Sequence, residues 1–356
     1  MRVRTLSASG VRNLKTFEVD VDEPWVVVTG ANAQGKTNLL ELVWVLATLK
    51  PLRGTRLADV VTWGEPQARL QARVKADGGE LRLHVGLGPS GRTLHLDGNP
   101  VHEVAEWTGL RAVAFTPDDV VIGSGEPALR RAWLDRAAFT AAPAHLDIVR
   151  RYRRVVAQKA AELRNSAQAA VLDALDETLV GLGTELVARR RRLLDELEPH
   201  LDLLHRELAG SGRLSLRYQT EVDLAAAVAS SRGDELRRRG VLKGPHTDDV
   251  EFRIDDRPVR TWGSRGQLRS VVLSLKLAEL VAAKARGQAP VFLLDDVGSE
   301  LDSERTERLL DLLGKNGGQV FVSSTRVDLF DRLPFGTRRL QVTNGVLSVD
   351  LHTDSR

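Results

Sequence analysis

The sequence predicts an α/β protein with a largely helical second part, and three observations support this fold class. Residues 25–28 form a short apolar run that ends in a glycine-rich turn, and a helical pattern follows from residue 35 to about 49. Residues 56–115 contain segments in which polar and apolar side chains alternate, as in antiparallel strands. Residues 128–208 are rich in Ala, Leu, Arg and Glu, which favours helices. Because 356 residues exceed one typical core, we expect two packed lobes.

Turn residues and strand patterns refine this outline. Residues 3–22 predict one or two strands, and Asp97-Gly98-Asn99 predicts a turn between two strands of the alternating region. Pro143 and Pro199 are expected to break the helical region into separate helices. The later elements are expected to be strand, strand, helix, strand and a helix-strand pair: residues 214–218, 250–254, 267–285, 291–294 and a pair that ends near Ser323.

Composition excludes several classes of protein. There is no cysteine, so disulfides, iron–sulfur clusters and cysteine-based zinc sites are excluded, and the eight histidines lack ligand spacing. No run approaches 18 apolar residues and the N-terminus has no apolar signal core, so we expect a cytoplasmic protein. The net charge of +3 is only mildly basic, although 42 of the 51 cations are arginine. Guanidinium groups bind phosphate oxygens in pairs, but a genome-wide bias toward arginine codons explains the excess equally well.

The firmest motif is a loop of the form G-x-x-x-x-G-K-[ST] between the first buried strand and the helix after it. Its residues are Gly30, Ala31, Asn32, Ala33, Gln34, Gly35, Lys36 and Thr37, and Asn38 follows them. In this context the motif is a Walker A loop, whose backbone N–H groups surround a phosphate. Lys36 is expected to reach the β and γ oxygens of ATP, and Thr37 to ligate Mg²⁺.

A second motif begins at the apolar strand 291–294, which ends in Asp295 and Asp296 as a Walker B segment does. Asp295 is the candidate Mg²⁺ ligand. Asp296 stands where ABC-type ATPases usually have a glutamate that polarises the attacking water, so the general base would be one methylene shorter and hydrolysis slow. The string Asp-Asp-Val-Gly-Ser-Glu-Leu-Asp resembles the Walker B and D-loop string of these ATPases position by position.

The segment Gly263-Ser264-Arg265-Gly266-Gln267 resembles a degenerate ABC signature sequence. Ser264, Gly266 and Gln267 match the pattern, whereas Gly263 and Arg265 replace its leucine and first glycine. Taken alone this is a weak signal, because Ser264 can simply be a helix N-cap, but its order and spacing with the Walker A, Walker B and D-loop motifs make it strong. The resemblance implies that this segment contacts the γ-phosphate held by a second protomer, so that two ATP molecules are sandwiched in a homodimer.

One position departs from the ABC pattern. The strand that ends near Ser323 leads in these ATPases to a switch histidine, and this chain has Thr325 there. A hydroxyl can still donate a hydrogen bond to a phosphate oxygen. Thr325 is therefore kept as a candidate nucleotide contact.

Three further segments, in order, resemble the RecF family of recombinational-repair mediators, over nearly the whole chain. Residues 117–135 are similar to the family signature P-[DE]-…-G-x-P-x-x-R-R-x-aromatic-L-D. Residues 243–249, Lys-Gly-Pro-His-Thr-Asp-Asp, are similar to its second hallmark, and residues 292–309 to its third. Residues 117–119 fall near the usual place of the Q-loop but contain no glutamine.

Structural explanations compete with functional ones inside these hallmarks. Arg130 and Arg131 are equally well explained as residues of a helix first turn that pair with acidic neighbours. His246 lies between a proline and two aspartates, where it can simply satisfy a turn, so no catalytic role is expected of it.

Other ATPases of the ABC and SMC types fit the sequence less well. SMC-type proteins with long arms need hundreds of residues of heptad repeat, and a zinc hook needs Cys-x-x-Cys. The segment between the two predicted halves of the ATPase has no cysteine. Even a helix of about 40 residues there would reach only about 60 Å, so any arms are short. A transporter ATPase would be shorter, with a better signature and the switch histidine. A housekeeping ABC ATPase without DNA, and a nucleotide-gated module with incidental turnover, stay as alternatives.

The candidate DNA contacts are arginines of the helical region. Arg150, Arg153 and Arg154 share a helix face and are the candidates for phosphate binding, which would be largely independent of sequence and sensitive to salt. The run 189–192 cannot all face one surface and is better explained as a solvated helix with (i, i+4) partners.

The combined prediction is an α/β P-loop head of the ABC/SMC type with a largely helical second lobe and only short arms. One lobe is expected from residues 1–117 and 289–356, and the other from 118–288. The RecF resemblance implies a DNA repair, recombination and replication protein that binds ATP and Mg²⁺ and hydrolyses ATP slowly while dimerising on DNA. It also implies RecR and RecO as partners in loading recombinase at single-strand gaps or junctions.

Overall fold

The computed structural model describes residues 1–54, 56–76, 78–165, 168–316, 318–326, 330, 333 and 336–349. It divides into two compact units, of which the first is Met1–Asp119 with Glu279–Arg356 and the second is Val120–Ala278. The sequence places the lobe limits after residues 117 and 288, whereas the units divide after Asp119 and, within a helix, after Ala278.

The elements follow one another in this order. The first segment contains β1 (Arg2–Ser9), β2 (Phe17–Asp20), β3 (Trp25–Thr29), α1 (Lys36–Thr48), β4 (Ala68–Ala76), β5 (Gly79–Gly88), β6 (Gly91–Leu96), β7 (Asn99–Pro100) and β8 (Ala112–Phe115). The second unit contains α2 (Val121–Ser124), α3 (Pro127–Ala141), α4 (His145–Asn165), α5 (Ala169–Ala209), β9 (Leu214–Gln219), α6 (Leu224–Arg238), β10 (Asp249–Ile254), β11 (Arg257–Pro258), α7 (Val259–Trp262) and most of α8 (Arg265–Ala285). The last segment contains β12 (Val291–Leu294), α9 (Val297–Glu300), α10 (Ser303–Asn316), β13 (Val320–Ser324), β14 (Thr337–Thr343) and β15 (Val346–Val349).

The first unit has two sheets with α1 packed between them. One sheet is antiparallel in the order β2-β1-β4-β5-β6-β7, and the other has the order β15-β14-β3-β13-β12-β8. In the second sheet the strands from β14 to β8 are parallel and β15 is an antiparallel edge. Helix α1 contacts strands of both sheets and is buried from Leu39 to Thr48, as expected for a helix that is apolar on all sides. The parallel strands therefore bring the ends of β3 and β12, with the loops after them, to one edge.

Most predicted elements are confirmed in type and position. The apolar run 25–28 is β3, and the predicted strand 291–294 is β12 with the same bounds. Asp97 and Gly98 both have positive φ (52° and 85°), as a two-residue hairpin turn requires, and they join β6 to β7. Pro143 lies between α3 and α4, where a break was expected.

The predicted break at Pro199 is wrong, because α5 continues through it for 41 residues. A proline inside a helix removes one hydrogen bond and costs about 3 kcal/mol. The helix buries a leucine stripe on both sides of this position: Leu193, Leu194, Leu197, Leu201, Leu204 and Leu208. Since each buried leucine contributes about 1.5–3 kcal/mol, packing outweighs the local penalty.

The second unit packs its helices around α5. Helices α3, α4 and α6 and strand β9 all contact it, and β9 belongs to the antiparallel sheet β11-β10-β9. Its core includes a cluster formed by Ile148, Val149, Tyr152, Val155, Leu179, Leu182, Leu186, Leu224 and Val228. None of the described helices combines the length and the hydrophobicity that a membrane span requires.

Candidate nucleotide-binding site

The glycine-rich loop joins β3 to α1 in a conformation that needs glycine at both ends. Gly30 has a φ of 146° and Gly35 a φ of 120°. A Cβ at Gly30 would lie 2.4 Å from the Val342 carbonyl oxygen, and one at Gly35 would lie 2.8 Å from Asn13 Oδ1. Both glycines therefore have a steric cause within the protein, in addition to the close approach of a phosphate.

Two segments that sequence analysis missed hold this loop in place. The Asn13 side-chain amide donates to the carbonyl oxygens of Ala33 at 3.3 Å and Gln34 at 3.2 Å. The Gly345 N–H donates to the Gln34 carbonyl oxygen at 3.1 Å, and the Asn344 N–H donates to the Gln34 side chain. No local signal marks these residues, because Asn344 and Gln34 are 310 residues apart.

Lys36 begins α1 and points back along the loop. Its Nζ donates to the carbonyl oxygens of Gly30 and Ala31, both at 2.9 Å. Burial lowers the pKa of Lys36, and the carboxylates of Asp296 and Asp295 partly oppose this shift. The ammonium group therefore lies among backbone carbonyls and two acids, where a triphosphate would meet it.

Thr37 and Asp295 come together at the end of β12. Thr37 Oγ1 donates to the two Asp295 carboxylate oxygens at 2.8 and 2.9 Å, and Ser323 Oγ donates to Asp295 Oδ1 at 2.6 Å. Mg²⁺ prefers such oxygens and is usually held by one or two protein ligands together with phosphate oxygens and water. No group of three or more His, Asp or Glu side chains in the described part of the chain could hold a metal alone. The donor set fits a Mg²⁺ ion shared between Thr37, Asp295 and a nucleotide.

Asp296 follows Asp295 in a left-handed backbone conformation. Its φ is 50° and its ψ 48°, and its N–H donates to Ser323 Oγ at 2.9 Å. Aspartate tolerates this region of backbone space better than longer acidic side chains. The conformation gives a backbone reason for aspartate where related ATPases have glutamate.

Arg53 is a cation of the site that sequence analysis missed. Its Nη2 lies 3.5 Å from Asp295 Oδ2. The loop that carries it is fixed by Glu41 of α1, which is 2 % exposed and whose Oε1 accepts the N–H groups of Leu52 at 3.0 Å and Arg53 at 3.3 Å. Arg12 neutralises Glu41 through bonds of 2.7 and 3.0 Å. A partly buried ion pair thus holds the loop that carries the Arg53 guanidinium beside the Walker B carboxylate.

These groups line a cavity of about 320 Å³ in the first unit. The lining residues are Asn32, Ala33, Gly35, Lys36, Thr37, Asn38, Arg53, Thr116, Pro117, Asp118, Asp295 and Asp296. Gly30, Ala31 and Gln34 belong to the same site through their carbonyl oxygens. Those of Gly30 and Ala31 accept from Lys36 Nζ, and that of Gln34 accepts from the Asn13 amide and the Gly345 N–H. The Thr116 N–H donates to Asp119 Oδ2 at 2.8 Å and so fixes the segment predicted near the Q-loop position. The chemistry of the lining is suited to a polyanion with a divalent cation.

The signature segment lies in the second unit at the N-terminus of α8. The Ser264 N–H donates to Gln267 Oε1 at 2.9 Å, and the Gln267 N–H donates to Ser264 Oγ at 3.2 Å. This is a capping box, so the helix-cap explanation of Ser264 holds and leaves its hydroxyl hydrogen available to an acceptor. A Cβ at Gly263 would lie 2.6 Å from Val259 Cγ1, which explains why no leucine stands there. Contact of Ser264, Gly266 and Gln267 with a nucleotide stays a prediction.

Thr325 follows β13 and is exposed. It does not occur among the described residues that line the cavity. The neighbouring Ser324 Oγ accepts the Arg326 N–H at 3.0 Å. A γ-phosphate contact of Thr325 therefore stays a prediction.

The candidate DNA-binding arginines lie on α4. Arg150, Arg153 and Arg154 are all exposed. Arg153 Nη2 lies 3.7 Å from Asp135 Oδ2, so an acid already shares its charge. Arg150 and Arg154 are one turn apart and have no ion pair within the described residues. Their charge is the more available to a phosphate backbone.

The run 189–192 behaves differently from its prediction. Arg189 pairs with Glu185 one turn earlier at 2.8 Å, as a solvated helix would allow. Arg190 is 3 % exposed, so the solvated interpretation is wrong for it. Its Nε and Nη2 donate to the two Asp135 carboxylate oxygens at 2.9 and 3.1 Å, and its Nη1 donates to the Pro245 carbonyl oxygen at 2.7 Å. Arg190 thus belongs to a buried network.

That network joins the two RecF-like hallmarks of the second unit. Arg130 Nε and Nη2 donate to the Asp249 carboxylate oxygens at 2.6 and 2.9 Å, and Arg131 Nη1 donates to the Asp248 carbonyl oxygen at 2.7 Å. Arg190 Nη1 lies 3.3 Å from Asp248 Oδ2. Arg130 and Arg131 therefore bond not to the first-turn neighbours expected from sequence but to the Asp249 carboxylate and the Asp248 backbone, each more than 100 positions away.

His246 completes this arrangement in a structural role. Its Nδ1 lies 2.7 Å from the Tyr152 hydroxyl and its Nε2 3.3 Å from the Val241 carbonyl oxygen. A Cβ at Gly244 would lie 2.3 Å from the same hydroxyl, and Gly244 has a φ of 139°. Burial lowers the pKa of His246, which favours the neutral ring. The hallmark histidine therefore satisfies polar groups of a turn within the second unit.

Comparisons with known proteins agree with these features. Residues 2–346 match the family described as "RecF/RecN/SMC N terminal domain". The chain is 36% identical over 342 residues to "DNA replication and repair protein RecF" of Geobacter metallireducens, which covers 92% of this chain and 93% of that protein. It is 37% identical over 348 residues to the protein of the same name from Myxococcus xanthus, with 91% of each chain covered.

Solved structures give the same result. A structure described as "recombination mediator protein RecF-ATP in RecFOR pathway" matches with a TM-score of 0.88 and 26% identity, over 98% of this chain and 97% of that one. An Smc head domain from Pyrococcus furiosus matches with a TM-score of 0.60 and 15% identity, over 98% and 96%, and shows the fold alone. The predicted ABC/SMC-type head fold is confirmed. The chain belongs to the RecF family of SMC-type ATPases.

Proposed function

We propose that this chain is an ATP-dependent DNA-binding protein of recombinational repair. ATP binding drives two copies together on DNA, and slow hydrolysis lets them separate, so that ATP acts as the timer of a clamp. One observation carries the proposal: Lys36, Thr37 and Asp295 converge in a single cavity with Thr37 Oγ1 at 2.8 Å from Asp295 Oδ1. That arrangement suits a triphosphate with Mg²⁺, which would neutralise phosphate charge when bound.

Asp296 is the residue proposed to accept a proton from the attacking water. It lines the same cavity and follows the proposed Mg²⁺ ligand directly. Its side chain is one methylene shorter than the glutamate usual at this position in ABC-type ATPases, so proton transfer should be less efficient. Slow turnover suits a clamp, because the ATP-bound state then lasts long enough for partners to assemble.

Dimerisation is proposed to be head to tail. We place residues 1–117 and 289–356 in one lobe and 118–288 in the other, with the Walker A and Walker B residues in the first and the signature in the second. In ABC-type ATPases the signature of one protomer meets the γ-phosphate held by the other, and we extend this to Ser264, Gly266 and Gln267. ADP lacks that phosphate and should not support the dimer.

DNA is proposed to bind through phosphate contacts, with Arg150 and Arg154 as the main candidates and Arg153 in a lesser role. All three are exposed, and the first two keep their charge available. Affinity should then fall steeply with salt and depend little on base sequence. The similar proteins are called RecF and, in the solved structure, a member of the RecFOR pathway. We therefore propose RecR and RecO as partners that help load recombinase at single-strand gaps or junctions.

Sedimentation velocity combined with gel shifts tests the proposal. The wild-type chain should be a monomer without nucleotide or with ADP, and a dimer with ATP and Mg²⁺. The same conditions should increase retention on gapped, single-stranded or duplex DNA. Ser264→Arg places a bulky side chain in the proposed junction, so it should still bind ATP but lose dimerisation and DNA retention together. An ATP-independent dimer, or a Ser264→Arg chain that dimerises normally, would favour a nucleotide-gated module in its place.

A further inference from the structure

The second unit exposes a large aromatic side chain beside the signature segment. Four of the six tryptophans are at most 5 % exposed: Trp25, Trp44, Trp107 and Trp133. Trp63 and Trp262 are 100 % and 72 % exposed. Tryptophan is among the side chains most enriched at the centres of binding interfaces. Trp262 also stands two residues before Ser264, next to a segment already proposed to contact a second copy.

The indole of Trp262 is held in a fixed turn. It ends α7, whose Val259 is 1 % exposed and anchors the turn in the second unit. The Gly263 N–H donates to the Val259 carbonyl oxygen at 2.8 Å, and Gly263 packs so closely on Val259 that a Cβ would not fit. Beside the indole lies a cavity of about 410 Å³, partly lined by Ile254, Pro258 and Gln267. The ring thus projects from a turn that is anchored through Val259, and it borders open space.

The described lining of the nucleotide cavity in the first unit contains no aromatic ring of the kind that Trp262 provides. Its lining supplies cations, hydroxyls and carboxylates for phosphate and Mg²⁺, and none of its described lining residues is aromatic. The described lining residues therefore offer a purine ring no aromatic side chain to stack on. Stacking on an aromatic side chain is a strong contact for a base, worth about tenfold to a hundredfold in affinity, and a two-ring purine overlaps an indole over more area than a one-ring pyrimidine does.

We propose that Trp262 stacks on the purine ring of the ATP that a second copy of this chain holds. The inference rests on the head-to-tail dimer proposed above. Two residues span at most about 7 Å, and the indole extends beyond its own backbone. Ser264 can therefore meet the γ-phosphate while Trp262 lies along the base of the same nucleotide. Trp262 makes dimerisation sensitive to the base as well as to the phosphates.

The test compares dimerisation by sedimentation velocity with ATP·Mg²⁺ and with CTP·Mg²⁺ for three variants. Trp262→Ala should weaken the ATP-driven dimer about a hundredfold, since the symmetric dimer contains the contact twice at about tenfold each. In Trp262→Ala, the dimers formed with ATP and with CTP should also be close to equal in stability, whereas the wild-type dimer should be more stable with ATP. Trp262→Phe keeps a ring and should lose no more than about tenfold. Trp63→Ala, the matched exposed tryptophan, should behave as wild type, and monomers of every variant should bind ATP equally.

Fluorescence quenching gives a second readout. In a Trp63→Phe chain, Trp262 is the main indole open to acrylamide, and ATP should protect it only at concentrations where dimers form. If Trp262→Ala dimerises like wild type, or weakens ATP- and CTP-driven dimers equally, the stacking proposal is wrong while the dimer proposal stands. A wild-type chain that stays monomeric with ATP overturns both.

Discussion

The nucleotide cavity of the first unit and the ion-pair network of the second unit both consist of charged residues, yet they use charge in opposite ways. In the cavity, Lys36 and Arg53 face open space beside Asp295. In the network, a buried Arg190 and a largely buried Asp135 are directed at each other. A charged side chain beside a cavity can act on a ligand, whereas one that is paired with a buried opposite charge supports the fold. Motifs of equal clarity in the sequence can therefore have different roles.

Lys36→Ala should produce the largest effect on the cavity side of this comparison. Without the ammonium group no side chain of the loop neutralises the β and γ oxygens, so ATP affinity should fall about a hundredfold or more. The thermal unfolding midpoint should change little, because Lys36 Nζ bonds only two loop carbonyls. Isothermal titration measures the affinity, with Lys315→Ala as an exposed lysine control in the same unit. An unchanged affinity for Lys36→Ala would contradict the Walker A assignment.

Asp296→Asn should have the next largest effect, on hydrolysis, because it removes the proposed general base and leaves the phosphate contacts in place. ATP should still bind, while hydrolysis in single-turnover phosphate release falls about 10²- to 10⁴-fold. Asp311→Asn on the exposed face of α10 is the control and should hydrolyse ATP at the wild-type rate. Turnover of Asp296→Asn at the wild-type rate would mean that another group accepts the proton.

The sequence predicted the parts of the site whose chemistry and geometry lie within one segment. Gly35, Lys36 and Thr37 follow a buried strand, and Asp295 ends another, so parallel strands bring them to one edge. Asn13 and the Asn344 turn could not be predicted, because their role is to hold the loop from distant positions. The place of Arg53 in the site could not be predicted for the same reason. Its loop is held by Glu41, which pairs with Arg12, and no local sequence pattern indicates these contacts.

The second unit shows the other limit of sequence reasoning. A run of arginines on a helix looks solvated, and only the tertiary structure shows that Arg190 turns inward to Asp135 and Asp248. Pro199 is similar, because local propensity predicts a break and the packing of α5 overrides it. Local rules fail here because buried contacts, formed between elements far apart in the chain, contribute more free energy than the local preferences do.

Arg190→Met should have the largest effect on the network side. It leaves Asp135 and Asp248 buried with fewer partners, so the free energy of unfolding should fall by about 3–5 kcal/mol. ATP affinity of the folded chain should stay close to wild type, because the cavity lies in the other unit. Urea unfolding and isothermal titration measure the two quantities.

Two further variants serve as controls for Arg190→Met. Arg191→Met changes an exposed neighbour and should cost less than about 0.5 kcal/mol. An Arg190→Met, Asp135→Leu double variant removes a buried acid along with the base and should recover part of the loss. A large loss of ATP affinity in Arg190→Met at full stability would mean that the network acts on the nucleotide and is not only a support for the fold.

The smallest expected effect concerns acid. Burial disfavours the ionised Asp135, but hydrogen bonds and charges from His145 and Arg190 outweigh it and lower the pKa of Asp135 from 3.8 to about 2. The folded chain therefore holds this proton less tightly than the unfolded chain. The carboxylate contributes about 2 kcal/mol of stability above about pH 4, and this contribution is lost as the pH falls toward about 2. Asp248 works in the opposite sense, because burial raises its pKa and protonation then favours the folded state.

Urea unfolding of the wild type and Asp135→Asn between about pH 5 and pH 2 separates these contributions. The wild type should be the more stable protein at pH 5, and the gap should narrow by about 2 kcal/mol toward pH 2, since asparagine has no proton to gain. In Asp248→Asn the gap to the wild type should change with the opposite sign over the same range. If the gap between the wild type and Asp135→Asn stayed constant with pH, Arg190 and His145 would not be holding Asp135 ionised. The network would then support the second unit by its shape, and the contrast with the charged cavity of the first unit would lose its electrostatic basis.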